Sequence, residues 1–303
     1  MNGTEGLTHL HTHAREALAL SKQERVQRAH ELPWINYPAA EKLHLDLETL
    51  VTLPSSHRPP CRALLAAPNN GKTRLLRRFA KKHAPAEDPS IDEGPLEVPV
   101  IMIEALDGPH ERQFFNQVID AFGVPFRPDD NIHRLRYKAE RLLTYFKTRV
   151  LLIDEFHVIA SGTPAMQRNL LNILKNLSSR RRMSIVVSGV QEATAALAID
   201  TQFSSRFRTV HLPLWEGSAW RRLAHSLEGH LPFPEPSHLG EARFAERLLF
   251  EAESTIGGLI DLLLDMTHWA IMNDEPKLTL DTIQKCGWIR PSERIRAASA
   301  AFY

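Results

Sequence analysis

The chain has 303 residues with 37 Lys or Arg and 36 Asp or Glu, so its formal net charge is +1 at pH 7. Hydrophobic residues make up 43% and charged residues 24%, an ordinary balance for a globular protein long enough for one large domain and one smaller domain. The small net charge excludes attraction to nucleic acid through global charge, so any such contact must come from local basic clusters.

The two cysteines, Cys61 and Cys286, have no CxxC or Cys/His ligand spacing, which excludes a disulfide framework or a zinc site and indicates a reducing compartment. The sequence contains no run of about eighteen apolar residues that could cross a membrane. Residues 1–6 lack the basic and apolar segments of a signal peptide. We therefore expect a cytoplasmic protein.

Residues 1–33 are polar and helix-prone and are predicted to form an N-terminal extension, either loosely packed or docked on a neighbour. A short apolar patch bracketed by prolines follows at residues 32–38. Residues 39–50 have helical spacing, with an apolar face at Leu43, Leu47 and Leu50.

Apolar strands and helical segments then alternate along the chain. The predicted strands are residues 62–67, 98–104, 149–154, 184–188 and 209–214. The predicted helices between them are residues 72–83, 110–122, 131–147 and 164–179. This alternation predicts an α/β fold with a parallel sheet and helices on both faces.

From about residue 216 the strands stop. The remaining segments are helical in pattern: residues 217–229, 240–252, 257–273 and 279–286. We therefore predict an α/β nucleotide-binding domain over residues 34–215, and a small helical lid domain with a C-terminal tail over residues 216–303.

The segment Ala-Ala-Pro-Asn-Asn-Gly-Lys-Thr at residues 66–73 lies between the first strand and the next helix. In this position backbone N–H groups and a helix N-terminus can surround a β-phosphate. Lys72 can reach the β- and γ-phosphates, and the Thr73 hydroxyl can ligate Mg²⁺. Ala66 replaces the first glycine of the GxxxxGK[ST] pattern, which is tolerable if its φ is negative. The predicted nucleotide-binding residues here are Pro68, Asn69, Asn70, Gly71, Lys72, Thr73 and Arg74.

Residues 150–155, Val-Leu-Leu-Ile-Asp-Glu, have the pattern of a buried parallel strand with carboxylates at its C-terminal end. Ligands of open α/β sheets bind at that edge. Asp154 is expected to hold Mg²⁺, and Glu155 to orient and activate the attacking water. A strand that merely ends in solvated acids is the alternative, which the upstream loop disfavours. The two motifs together predict hydrolysis of a nucleoside triphosphate.

Three further segments each allow a functional and a purely structural interpretation. Ser188 ends a strand and can bond the γ-phosphate or the attacking water, or simply begin a turn. Arg206, with Arg208 as second choice, can stabilise γ-phosphate charge across a subunit boundary, or be a solvated arginine. Gly257 and Gly258 can allow the base and ribose of a nucleotide to approach the backbone closely at a helix N-terminus. Alternatively, they only form a turn and the start of that helix.

These elements occur in the order found in AAA+ ATPases, and more narrowly the chain resembles the TniB/TnsC family of transposition ATPases, TniB most closely. The resemblance spans roughly residues 30–290. The residues that carry it are 32–40, 68–73, 152–157, 205–207 and 256–260. The Asn-Asn-Gly-Lys-Thr loop and the upstream Pro-Trp-Ile-Asn-Tyr-Pro segment are its most specific parts.

The resemblance implies an ATP-dependent regulator, with ATP and Mg²⁺ as its ligands, that assembles as rings or filaments on duplex target DNA. It implies recruitment of an integrase-type transposase, a TniQ-type target-selection partner, and a bacterial cytoplasmic location at the nucleoid. Ser188 would be the sensor and Arg206 the arginine finger, while Trp34, Ile35 and Tyr37 would wall the adenine pocket. Leu259, Ile260 and Asp261 replace an arginine that many lids carry, so slow turnover is expected.

A ring of this kind would meet DNA phosphates through lysine or arginine without reading bases. The basic candidates are Arg112, Lys147, Arg149, Arg180, Arg181 and Arg182, and a solvated loop is the alternative for each. Two rival functions stay open at this point. One is another AAA+ machine, such as a replication-initiator loader or a secretion-associated ATPase, and the other is a non-hydrolysing ATP-gated scaffold.

Overall fold

The computed structural model describes residues 7–54, 56–85, 96–105, 108–191, 193, 198 and 201–300. The chain divides into two compact units. The first, called here the sheet unit, runs from Pro38 to Pro213. The second, the helical unit, combines the chain up to Tyr37 with the chain from Leu214 onwards.

The sheet unit contains a parallel sheet of five strands among the described residues. The strands are β1 (Cys61–Leu65), β2 (Val100–Glu104), β3 (Val150–Asp154), β4 (Ser184–Gly189) and β5 (Phe207–His211). Their order across the sheet is β2-β3-β4-β1-β5, and each neighbouring pair is parallel. The predicted α/β fold with a parallel sheet is confirmed.

The helices within the described ranges are, in chain order, α1 (Thr12–Ala17), α2 (Lys22–His30), α3 (Pro38–Thr52), α4 (Lys72–Lys82), α5 (Glu111–Asp120), α6 (Ile132–Tyr145), α7 (Pro164–Arg181), α8 (Thr201–Ser204), α9 (Gly217–Glu228), α10 (Ala242–Glu251), α11 (Ile256–Met272), α12 (Leu280–Lys285) and α13 (Pro291–Ala300). A 3₁₀ turn covers Phe156–Ser161. None of these helices is long and apolar enough to cross a membrane.

Burial of the strands follows their place in the sheet. Every residue of β1, β3 and β4 is buried, as expected for central parallel strands covered on both faces. The edge strand β5 is largely exposed, and it begins and ends earlier than predicted. Pro213 has no N–H for the sheet ladder, which favours a strand that stops before it.

The predicted N-terminal extension contains α1 and α2, and both helices belong to the helical unit. Helix α2 packs on α11 of the same unit. The Arg25 guanidinium donates to the Pro232 carbonyl at 2.7 Å, and Lys22 Nζ lies 2.5 Å from Asp274 Oδ2. These contacts join two ends of the sequence that are more than 200 residues apart, a pairing that local pattern does not reveal.

Candidate nucleotide-binding site

Three neighbouring strands end at one edge of the sheet and bring the predicted motifs together. The phosphate loop follows β1, Asp154 ends β3, and Ser188 lies near the end of β4. Ser188 is in register with Leu64, one residue before the end of β1. Because the strands are parallel, their carboxyl ends form a single site at this edge.

The loop backbone has the geometry of an anion cradle. Gly71 precedes α4 with a φ of 83°, in the left-handed region that glycine adopts without steric cost, and Asn69 has a φ of 55°. No side chain caps α4, so its first N–H groups remain available to an anion. Ala66 is not in the left-handed region, so its Cβ is compatible with the loop and the missing glycine is no obstacle.

Asn70 anchors the loop to the chain beyond β5. Its side chain is 1% exposed, and Nδ2 donates to the carbonyls of Leu212 at 3.3 Å and Pro213 at 2.9 Å. Pro68 and Asn69 are exposed at the tip of the loop, and Arg74 is exposed on α4. Asn70 therefore fixes the loop to the segment after β5, while Pro68, Asn69 and Arg74 face solvent.

Lys72 lies inside the loop rather than in solvent. Its side chain is 6% exposed, and Nζ donates to the carbonyls of Ala66 at 3.2 Å and Ala67 at 3.0 Å. Burial lowers the pKa of the Lys72 ammonium, and the charges of Glu155 and Asp154 partly oppose that shift. The ammonium is thus held where phosphate oxygens would meet it, within electrostatic reach of both predicted carboxylates.

Asp154 is 2% exposed and is oriented by two hydrogen bonds to one oxygen. The Ser188 hydroxyl donates to Asp154 Oδ1 at 2.7 Å, and the Glu155 backbone N–H donates to the same atom at 3.0 Å. Ser188, predicted as a sensor of phosphate or water, is therefore bonded to the predicted metal ligand in this structure. The second carboxylate oxygen, Oδ2, makes no such bond among the described residues.

Glu155 adopts a left-handed backbone conformation, with a φ of 51° and a ψ of 36°. Such a conformation is rare for a residue with a side chain and costs on the order of 1 kcal/mol or more. It turns the chain sharply at the end of β3, so the Glu155 side chain leaves the strand in a different direction from that of Asp154. Strain of this kind is often found at functional sites.

His157 was not predicted as a site residue and lies beside Glu155. Its Nδ1 is 3.2 Å from Glu155 Oε2, without the alignment of a hydrogen bond. A Cβ built on Gly189 would lie 3.4 Å from the His157 backbone nitrogen and 2.9 Å from the Ala193 Cβ. The residue after Ser188 must therefore be small for this group to pack, a constraint that sequence pattern alone did not indicate.

A pocket of about 450 Å³ opens at the same edge of the sheet. It is lined by residues of the phosphate loop and of the segments after β4 and β5, namely Leu65, Ala66, Ala67, Pro68, Val190, Gln191, His211, Leu212 and Pro213. The edge that carries the charged residues therefore also has space for a ligand.

The residues present fit Mg²⁺. No cluster of three or more His, Cys, Asp or Glu that could hold a metal occurs among the described residues. Mg²⁺ needs no such cluster, because it is bound through one or two protein oxygens together with substrate phosphates and water. The buried Asp154 carboxylate and the half-exposed Thr73 hydroxyl supply oxygens of that kind.

Arg206 lies at the opposite edge of the sheet, immediately before β5. Its Nη1 donates to the Ser179 hydroxyl at 2.9 Å, and its backbone carbonyl accepts from the Cys61 N–H. Arg208, the second choice, is exposed on β5. The sheet thus separates both arginines from the phosphate loop of their own chain.

The aromatic residues predicted to wall the adenine pocket belong to the helical unit. Tyr37 is 8% exposed, and its ring lies 4.8 Å from that of Trp215 and 6.0 Å from that of Trp34. Burial raises the pKa of Tyr37 to about 12. Ile35 is half-buried in the same segment.

Gly257 and Gly258 lie in the first turn of α11. The Thr255 hydroxyl accepts from the Gly258 N–H at 3.2 Å, and a Cβ on Gly258 would lie 2.5 Å from the Ala252 carbonyl oxygen. Close packing against the Ala252 carbonyl therefore explains glycine at position 258 without a ligand.

The predicted basic residues fall into two groups. Lys147, Arg149, Arg180, Arg181 and Arg182 line one pocket at the amino-terminal edge of the sheet. Arg112 is not part of that pocket, and its Nη1 donates to the backbone carbonyls of Pro128, at 3.4 Å, and Asp130.

Comparison with known proteins identifies both a family and a fold. The family model described as bacterial TniB protein matches residues 25–217, more than half of the chain. No curated protein sequence is significantly similar.

Among solved structures, the ADP form of the Aeropyrum pernix ORC2 protein has a TM-score of 0.61 at 16% identity, with 86% of this chain and 71% of that chain covered. Cdc6p from Pyrobaculum aerophilum has a TM-score of 0.61 at 15% identity, with 84% and 68% covered. The Aeropyrum pernix ORC1 protein in complex with DNA has a TM-score of 0.56 at 14% identity, with 82% and 63% covered. At these identities the likeness is one of fold.

Proposed function

The chain belongs to the TniB family, and from this premise we propose that it is an ATP-dependent regulator of DNA transposition that assembles on duplex target DNA. Its family and fold make it an AAA+ P-loop ATPase. One observation supports the enzymatic part of the proposal. Lys72, Asp154 and Glu155 lie together at one edge of the sheet, and the charges of both carboxylates act on the Lys72 ammonium.

The site residues have distinct roles in the proposed reaction. The loop N–H groups and Lys72 bind the β- and γ-phosphates, for which Lys72 exchanges its bonds to the loop carbonyls. Glu155 accepts a proton from the attacking water, whose oxygen bonds to the γ-phosphorus as the bond to the β-phosphate oxygen breaks, leaving ADP and phosphate. Thr73 and Asp154 would hold Mg²⁺, which would neutralise charge on the phosphate oxygens.

Completion of the site by a neighbouring subunit is part of the proposal. Arg206 lies at the sheet edge opposite its own phosphate loop, so it suits a phosphate held by another copy of the chain. Its hydrogen bond to Ser179 would then be exchanged for the phosphate on assembly. We propose that Trp34, Ile35 and Tyr37 contact the adenine. We also propose that ATP turnover is slow, because no lid arginine occurs at positions 259–261.

Transposition partners follow from the family and not from the geometry. We propose that the assembled protein recruits or activates an integrase-type transposase and acts with a TniQ-type target-selection protein. The Aeropyrum pernix ORC1 protein, which shares the fold, was solved in complex with DNA. That likeness supports a fold compatible with DNA binding.

Electron microscopy of the protein with duplex DNA, with and without a non-hydrolysable ATP analogue, tests assembly. We expect ordered rings or filaments on DNA that depend on the analogue. Lys72→Ala should not assemble, because it loses the triphosphate contact, whereas Lys81→Ala, an exposed residue of the same helix, should behave as wild type. Wild-type particles that remain monomeric and off DNA in both conditions would contradict the proposal.

Glu155→Gln separates hydrolysis from assembly. The amide keeps the shape of the side chain but cannot accept the proton, so ATP turnover should fall by about 100-fold or more while analogue binding is retained. Steady-state phosphate release and nucleotide titration measure the two properties. A wild-type rate as low as that of Glu155→Gln would favour a non-hydrolysing scaffold instead.

A further inference from the structure

A strongly basic surface covers the amino-terminal edge of the sheet, opposite the phosphate loop. Its centre is a pocket of about 390 Å³ lined by Lys147, Arg149, Arg180, Arg181 and Arg182. These residues come from separate segments, since positions 147–149 precede β3 while positions 180–182 end α7 and precede β4. The fold therefore gathers charges that are about 30 positions apart in sequence.

The exposed face of α6 continues this surface. Arg134, Tyr137, Arg141 and Tyr145 are spaced three or four residues apart and so share one side of the helix. Tyr137 is 67% exposed and Tyr145 is 68% exposed, unusually high values for aromatic residues. Thr144 of the same helix lines the basic pocket and accepts from Arg181 Nη1 at 2.9 Å, so the helix face and the pocket are continuous.

Acidic partners neutralise only part of this charge. Arg181 pairs with Glu140 at 2.5 Å, Arg134 with Asp130 at 3.5 Å, and Lys147 with Glu97. Arg149 and Arg182 bond to groups other than carboxylates, the Leu53 carbonyl and the His57 ring.

Among the described residues, neither Arg141 nor Arg180 has a side-chain partner. Because the whole chain carries a net charge of only +1, this surface concentrates positive charge that is offset elsewhere.

The helix dipole accounts for two of these residues at most. Arg180 and Arg181 lie in the last turn of α7, where the helix dipole favours positive charge. The dipole does not explain Lys147 and Arg149, which belong to another segment. It also leaves the two exposed tyrosines of α6 unexplained.

We propose that this basic and aromatic surface, made by the pocket and the exposed face of α6, binds the phosphate backbone of duplex DNA. The proposal rests on the proposed function and adds the location and mode of DNA contact. Arginine matches phosphate geometry, and a tyrosine hydroxyl can donate to a phosphate oxygen, so the contact needs no base sequence. From Arg134 to Tyr145 the helix face extends about 17 Å, the axial length of about five base pairs.

Arg112 is excluded from this surface. Its guanidinium holds the carbonyls of the segment between α5 and α6, an ordinary structural role. Because Arg112 has this role, the control with the same loss of charge is a paired substitution of Arg77, which is exposed on α4 of the same unit, and Arg168. Arg168 is exposed on α7, 12 residues before Arg180 and about 18 Å from it along the helix.

The test compares three double variants for affinity to a mixed-sequence duplex at several salt concentrations, in the presence of a non-hydrolysable ATP analogue. Arg141→Ala with Arg180→Ala should weaken binding by about 10-fold or more at 0.1 M salt. The same pair should also reduce the slope of log affinity against log salt by about 2. Arg141→Lys with Arg180→Lys should retain the slope, and Arg77→Ala with Arg168→Ala should match wild type.

Neither arginine of the alanine pair forms a hydrogen bond or ion pair with another described side chain, so the fold should be unaffected, which analogue binding by the same variants verifies. Wild-type affinity and salt slope in the alanine pair would overturn the assignment of this surface while leaving the proposed function intact. Failure of the wild-type protein to bind DNA at any of the salt concentrations would contradict the proposed function as well. Preferential binding of poly-glutamate over duplex DNA would reassign the surface to an acidic polypeptide.

Discussion

The hydroxyl of Ser188 orients the Asp154 carboxylate at the end of β3. The hydroxyl is fully buried and donates to Asp154 Oδ1 at 2.7 Å. The same oxygen also accepts from the Glu155 backbone N–H. With one carboxylate oxygen held in this way, the other could face a metal ion, and we propose that Ser188 acts through Asp154 as a positioning residue.

Ser188→Ala should raise the Mg²⁺ concentration needed for half-maximal ATP hydrolysis by about 10- to 100-fold, because the metal ligand loses the bond that orients it. A Mg²⁺ titration of the hydrolysis rate at saturating ATP measures the effect. Ser184→Ala is the matched control, since Ser184 is also buried in β4 but at its other end. If Mg²⁺ dependence were unchanged and only the maximal rate fell, Ser188 would contact phosphate or water directly instead.

At this scale the sequence predicted the residue types of the site but not their hydrogen bonds. The sequence indicated Asp154 and Ser188 because each lies at the end of an apolar strand. It indicated Lys72 because this residue belongs to the Gly-Lys-Thr motif between β1 and α4. His157 was not, because its proximity to Glu155 depends on the left-handed turn at Glu155 and on the absence of a side chain at Gly189. Neither property appears in hydrophobic periodicity.

Helix α3 is fastened to the sheet by a pair of charges as well as by apolar contacts. Leu43, Leu47 and Leu50 are buried, as the helical spacing predicted. Asp46 lies between them in sequence and pairs with Arg62 of β1 through two bonds of 2.5 and 2.9 Å. The Arg62 side chain is 9% exposed, so its charge is almost entirely removed from water.

Arg62→Met should destabilise the sheet unit by about 2 kcal/mol at pH 7, because Asp46 would remain partly buried without its partner. The hydrogen bond from Arg62 lowers the pKa of Asp46. The stabilisation is therefore present above the unfolded pKa of the carboxyl group, about 4, and is lost as the pH falls through the folded value. The difference between wild type and variant should accordingly shrink in acid.

Denaturant unfolding followed by far-ultraviolet circular dichroism, at neutral and acid pH, measures this difference. Arg77→Met is the matched control, since Arg77 is exposed on α4 of the same unit and Asp46 is not shifted by its charge. Equal destabilisation by the two substitutions would contradict a specific role for the buried pair.

On the scale of the whole molecule, the two units differ in how much of them sequence pattern could reveal. The sheet unit is continuous in sequence, and its alternation of strands and helices gave the order of its elements directly. The helical unit joins both ends of the chain, and its N-terminal helices looked like a separate extension. Their packing depends on contacts such as Arg25 to Pro232, which local periodicity does not encode.

The distribution of tryptophan allows the helical unit to be observed by itself. The chain has five tryptophans, and all of them, Trp34, Trp215, Trp220, Trp269 and Trp288, lie in that unit. Intrinsic tryptophan fluorescence therefore reports unfolding of the helical unit without contribution from the sheet unit.

A stack of three histidines joins the two ends of the chain within this unit. The His230 ring lies 4.1 Å from that of His11 and 4.9 Å from that of His13, and the His11 backbone N–H donates to the Gly229 carbonyl. Burial, followed by the charges of His11 and His13, lowers the pKa of His230 to about 4. Burial also lowers the pKa of His13.

Acid should therefore weaken the helical unit through His230. Between the folded pKa of about 4 and the unfolded value of about 6.5, the unfolded chain binds more protons, so stability falls as the pH falls through this window. After allowance for partial exposure, we expect a loss of about 1 kcal/mol between pH 7 and pH 5. Tryptophan-monitored denaturation at a series of pH values measures it.

His230→Phe keeps an aromatic ring in the stack but removes the titrating group, so it should lose less stability than wild type over the same pH range. His268→Phe, an exposed position in the same unit, should keep the wild-type pH dependence. Because the comparison is between slopes, any constant effect of the substitution on stability cancels. An identical slope in wild type and His230→Phe would mean that the acid sensitivity of this unit has another source. The most direct alternative is His13, whose surroundings also include Arg28, Glu16 and Glu31.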